Sequence, residues 1–169
     1  MKTRLQLFAL LLASLFLTTT AMCAETTAPP QATRELAIVV VDSVHKQRGA
    51  ITDFDRIDIA FTRVAKDRNW PVTIKAERFA ANTPAHETEL RIFNRPVRQE
   101  TPGDLTFRGW VTLTVDGTKH DFGMILYRYY LRPGENMDDV LEKVFLGAAK
   151  VAADKIEPIL FPELSRKKS

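Results

Sequence analysis

Residues 111–130 read "VTLTVDGTKHDFGMILYRYY", and the way this stretch folds decides which side chains face inward. Asp116-Gly117 is a two-residue hairpin signal between two segments of strand character. A turn there pairs Val111 with Phe122, Gly109 with Met124 and Phe107 with Leu126. Leu105, Phe107, Gly109, Val111, Leu113 and Val115 then share one face by the period of two, and Gly109 leaves room for Met124. The opposite face of the same hairpin carries Arg108, Trp110, Ile125, Tyr127 and Tyr129.

Upstream, Leu36 to Val41 is a continuous run of mostly branched apolar residues, the pattern of a central strand covered on both faces. From Thr52 the period changes. Phe54, Ile57, Ala60, Phe61 and Val64 form a helical stripe, with Thr52 or Asp53 placed to cap it and Ile59 off the stripe. Asn69-Trp70-Pro71 ends that helix. Val72, Ile74 and Ala76 alternate with polar residues as a second strand, and Leu90 and Ile92 do so in a third, which Pro96 should end or place at an edge. Beyond the hairpin, Asn136 caps a helix with apolar positions Met137, Val140, Leu141, Val144, Phe145, Ala148 and Val151, running to about Ile156, just before Pro158.

The fold expected from this order is α+β, a two-layer sandwich of order β-α-β-β-β-β-α. Its five-stranded sheet is largely antiparallel and carries both helices on one face. A right-handed crossover through the first helix makes strands one and two parallel.

The start of the chain speaks of export. Lys2 and Arg4 precede an almost unbroken apolar run from Leu5 to Leu17, which is short for a membrane span and has the length of a signal-peptide core. Small residues Ala21, Cys23 and Ala24 offer cleavage after Cys23 or Ala24. The organisation expected is a signal peptide over 1–24, a Thr/Pro/Ala-rich leader over 25–33, a single domain over 34–162 and a basic tail over 163–169. Export places the mature chain, which has no transmembrane helix, in the periplasm or outside the cell. Lipidation of Cys23, a membrane-anchored alternative, is a poor match because Thr20-Ala21-Met22 precedes it. Cys23 is the single cysteine, so no internal disulfide can form and the core must hold the fold alone.

The formal charge of +3 falls to +1 when Lys2 and Arg4 leave, and the body without Arg166, Lys167 and Lys168 stands at −2. That balance calls for no nucleic-acid partner. Phosphate-cradling glycine motifs are missing from the sequence, and His45, His86 and His120 lie far apart with no metal-ligand spacing, so neither cofactor nor metal is expected. The acid groups Asp53/Asp55/Asp58 and Asp138/Asp139 fall at helix starts, where the dipole favours negative charge without any catalytic role. Asp42, Ser43 and His45, at the end of the first strand, form the one candidate hydrolase constellation, and it lacks the nucleophile elbow GxSxG.

The remaining candidate is a surface. If the helices cover one side of the sheet, the other side shows Lys75, Arg91, Phe93, Arg108, Trp110, Tyr127 and Tyr129. Aromatic and arginine side chains on an open face are the composition of an interaction hot spot. Arg95 and Arg98 add to the basic residues nearby. The sequence-based expectation is therefore a non-enzymatic binding or assembly module of the envelope, whose partner is an envelope protein or a second copy. Two alternatives are the small hydrolase and a carrier holding an apolar ligand between helices and sheet. A covering of Trp110 by the 94–104 loop would make the same face a second small core.

Overall fold

The apolar run from Leu36 forms β1 (Arg34–Asp42), and Leu36 to Val40 are each no more than 1% exposed. Leu36, Ile38 and Val40 enter the core shared with the helices, while Ala37 and Val39 are buried on the other side of the strand, the pattern of a central strand. In the computed structural model, which describes residues 34–42 and 53–166, β1 lies between β2 (Val72–Arg78) and β3 (Thr88–Arg98) and runs parallel to both. The sheet continues antiparallel through β4 (Asp104–Val115) and β5 (Thr118–Tyr130), giving the order β2-β1-β3-β4-β5. The longest ladders, β3 with β4 and β4 with β5, are antiparallel, so this is an α+β fold of the expected element order. One feature was not expected: β2 and β3, consecutive in the chain, flank β1 instead of pairing.

Helix α1 (Asp53–Asp67) joins β1 to β2, and helix α2 (Met137–Leu160) follows β5. Both bury their stripes against the same face of the sheet. Ile57, Phe61 and Val64 from α1 and Val144, Phe145 and Ile156 from α2 share a core with Leu36, Ile92, Phe107, Val111 and Ile125. Ile59, off the stripe, is exposed. The space at the centre of that interface, bounded by Ile57, Phe107 and Phe145, is about 10 Å³. Among the described residues, that space is too small to hold a ligand.

Asn69 ends α1 in the left-handed conformation, at φ 53. The amide of Trp70 donates to the Ala65 carbonyl and that of Asn69 to Lys66, the Schellman arrangement. Helix α2 starts as its sequence predicts, with the Asn136 side chain accepting from the Asp138 amide. Its end corrects the sequence reading, because α2 passes through Pro158 to Leu160. Packing holds the residue before the proline helical: Glu157 is buried, accepting from Arg68 at 2.7 Å and from the Trp70 indole at 3.3 Å, while Ile156 and Leu160 are buried beside it. A short helix α3 (Pro162–Arg166) follows, with Leu164 partly packed on the core.

The signal-peptide and leader segments, Cys23, Ser43 and His45 lie outside the described residues, as do Lys167 and Lys168. Among the described residues, no helix is long and apolar enough to cross a membrane, and no three metal-ligating side chains stand together.

Candidate functional site

The hairpin turn forms as the sequence predicts, with Asp116 at φ 50 and Gly117 at φ 76, the signs of a type I′ turn. The ladder then keeps the expected register from Val115↔Thr118 to Thr112↔Asp121. There it slips. Val111 pairs with Gly123, so Phe122 is an extra residue in a β-bulge. The Asp121 carboxylate holds this kink, accepting from the Gly123 amide at 2.8 Å and from the Trp110 indole N–H at 2.9 Å. Gly123 sits at φ 69, where a side chain would be strained.

A one-residue slip exchanges the two faces of all that follows. Gly109 therefore opposes Ile125, Phe107 opposes Tyr127, and the three pairings expected from an unbroken ladder are not made. The room beside Gly109 is taken by the Phe107 ring, an atom of which lies 2.9 Å from where a glycine Cβ would stand. Tyr127 and Tyr129 belong to the helix side. The Tyr127 ring lies against Gly147 of α2, and the Tyr129 hydroxyl donates to Glu135 at 2.7 Å. Neither belongs to the open face on which alternation had placed them. In their stead Met124, Leu126, Arg128 and Tyr130 face outward with Trp110 and Arg108.

The open face is organised in rows across the strands. Val41, Phe93, Trp110 and Met124 stand side by side on β1, β3, β4 and β5. Phe93 is 42% exposed, Trp110 47% and Met124 51%, so residues 94–104 do not seal this face. Two residues along the strands comes the row Arg95, Arg108, Leu126, and beyond it Arg98, Thr106, Arg128. An open groove of about 330 Å³ follows the apolar row, and a cleft of about 290 Å³ lies among Arg95, Arg98, Glu100, Thr106 and Arg108. The two share Arg95 and Arg108 in their walls.

Acidic partners meet part of this basic charge. Glu100 pairs with Arg108 and, at 3.4 Å, with Arg128, whose Nε also lies 3.3 Å from Asp104. The Thr101 amide and hydroxyl, the Glu100 amide and the Arg128 charge hold the Asp104 carboxyl below its usual range. Asp104 thereby fixes the turn that carries Glu100. Arg95 and Arg98 have no carboxylate partner among the described residues.

Of the other surface residues expected from sequence, Arg91 is on the open face but bound to Glu89 at 2.7 Å and set over the Phe79 ring. Lys75 lies near the far corner, beside Ala37 of β1, four residues from Val41, and pairs with Glu35 at 3.7 Å. The fold thus brings Phe93, Arg108 and Trp110 together, leaves Arg91 at the margin and separates Lys75. Met124, Leu126 and Arg128 were missed. The signal for them was Gly123 inside a strand pattern, a mark of a bulge.

No protein-family model matches the chain, and no curated protein matches it in sequence. Among solved structures it is similar to a hypothetical protein of Chlamydia trachomatis, at 7% identity and a TM-score of 0.48, over 78% of this chain and 100% of that one. It is also similar to rare lipoprotein B of Shewanella oneidensis, at 11% identity and a TM-score of 0.34, over 73% and 95% of the two chains. A minor lipoprotein of Acinetobacter baumannii gives 12% identity and a TM-score of 0.37, over 76% and 96%. At such TM-scores nothing of those proteins' roles transfers to this chain.

Proposed function

We propose that this protein is an exported module of a bacterial envelope that works by binding, without catalysis, through the open face of its sheet. The observation that supports this reading is the row of Phe93, Trp110 and Met124, large apolar side chains left half in solvent beside arginines. Exposed aromatic residues clustered with arginine are the usual centre of a recognition surface. Export rests on the charged start and apolar run of the first residues, with the mature chain periplasmic or secreted. The partner would be an envelope component or a second copy.

The test is site-specific photo-cross-linking in cells. Trp110→p-benzoylphenylalanine should give a discrete adduct on irradiation, whereas the same replacement of exposed Lys150, on α2, should not. Mass spectrometry of the adduct distinguishes a second copy, another protein and a lipid. Equal adducts from both positions, or none from Trp110, would overturn the reading.

A further inference from the structure

We infer that the open face holds an anionic amphiphile with a phosphate head and a single acyl chain, the head between Arg95, Arg98 and Arg108 and the chain along the row Val41, Phe93, Trp110, Met124. The inference rests on reading this face as a binding surface, and goes further in naming the ligand.

The arrangement of rows carries it. Side chains two residues apart on a strand are about 7 Å apart, so the apolar row and the first arginine row are immediate neighbours. Four adjacent strands give the apolar row a length of roughly 14 Å, a stretch an extended acyl chain can follow. The groove and the cleft have walls in common, so one molecule can occupy both. Their summed space falls within the range of small-molecule sites, about 300 to 1,000 Å³.

The cleft also holds donors that lack acceptors. Thr106 lines it and is 2% exposed, yet its Oγ1 has no hydrogen-bond partner. The Nε of Arg108 is buried and likewise unmatched, although a terminal nitrogen of the same guanidinium reaches Glu100. Buried donors are normally satisfied. Arg95 and Arg98 bring two more guanidinium groups with no carboxylate partner among the described residues. A phosphate offers several charged acceptor oxygens in the geometry guanidinium groups take best. An acidic peptide would also meet the arginines, but it has no use for a continuous apolar row. A neutral lipid would leave the charges of Arg95 and Arg98 uncompensated.

Trp110 is its own reporter. The chain has two tryptophans, and the other, Trp70, is 6% exposed in the core. Titrating the purified protein with dodecyl phosphate, below the concentration at which it aggregates, should shift the emission to the blue and saturate. Dodecyltrimethylammonium has the same tail and the opposite head, and it should bind at least tenfold more weakly. Inorganic phosphate alone should cause no shift and should not displace dodecyl phosphate at equal concentration. The double variant Arg95→Gln, Arg98→Gln removes exposed groups and should melt as the parent does, while binding dodecyl phosphate at least tenfold more weakly. Equal binding of the cationic amphiphile, an unaffected double variant, displacement by free phosphate or the lack of a saturable shift would each overturn the inference. A protein adduct at position 110 together with no dodecyl phosphate binding would leave the binding face standing and remove the amphiphile from it.

Discussion

Glu135 receives three donors at the start of α2: the Lys143 ammonium at 2.7 Å, the Arg132 amide at 2.9 Å and the Tyr129 hydroxyl at 2.7 Å. Together they lower its pKa from 4.5 to about 2, the Lys143 bond contributing most. A depressed carboxyl stabilises the fold above its unfolded pKa, and that contribution is lost as pH falls through the folded value. The contribution of Glu135 is therefore complete above about pH 5 and is lost progressively from there to about pH 1, below the folded value. Melting of the parent and of Glu135→Gln should differ at pH 6 and draw together as pH falls through about 2, and a carboxyl titration by NMR should place the Glu135 midpoint near 2. A gap between the two melting temperatures that stays constant across this window would contradict the assignment.

At the scale of elements, the bulge in β5 has a consequence inside α2. Glycine in a helix interior costs about 1 kcal/mol against alanine, yet Gly147 stands mid-helix because a Cβ there would lie 2.1 Å from the Tyr127 ring. Overpacking of that kind costs about 1–3 kcal/mol, so Gly147→Ala should destabilise the protein by about 1 kcal/mol in spite of the better helix former. In a Tyr127→Ala background the same substitution should turn stabilising, a reversal that a double-mutant cycle reads directly. Had β5 kept the unbroken register, Tyr127 would face away and the change would stabilise in both backgrounds. The difference between the two registers also marks what was legible beforehand. Asp116-Gly117 sets the turn and the first rungs by local backbone preference, which sequence carries openly. The slip at Phe122 depends on Asp121 bonding both to Gly123 and, across the ladder, to Trp110, a contact between strands that alternation does not encode. In the same way Pro158 announces the end of α2, but the Arg68 and Trp70 contacts to Glu157, from residues 89 and 87 positions earlier in the chain, carry the helix past it.

Over the whole molecule, one sheet presents one buried and one open face, and Phe107 and Trp110, three residues apart on β4, belong to one each. The pattern of β1, α1 and β4 was enough to say which side the helices cover, so Phe93, Arg108 and Trp110 could be placed on the open side from sequence. The strand that completes that side could not. The Phe107 ring is 4% exposed and meets Phe145 edge-on at 5.5 Å, so Phe107→Ala leaves a cavity at the centre of the core. Its expected cost is about 3–5 kcal/mol. Trp110 keeps nearly half of its surface in water and one hydrogen bond to Asp121, so Trp110→Ala gives up about half of an aromatic burial, about 1–2 kcal/mol. Association should show the reverse order. Trp110→Ala removes the middle of the exposed row and should weaken binding through the open face by about 2 kcal/mol or more, whereas Phe107→Ala, measured well below its melting temperature, should leave that binding within a few-fold of the parent. Chemical denaturation of both variants, with sedimentation or ligand titration of the same samples, checks the pair. A loss of stability at Trp110 as large as that at Phe107, with binding unchanged, would make Trp110 part of a second core and withdraw the open face as the working surface.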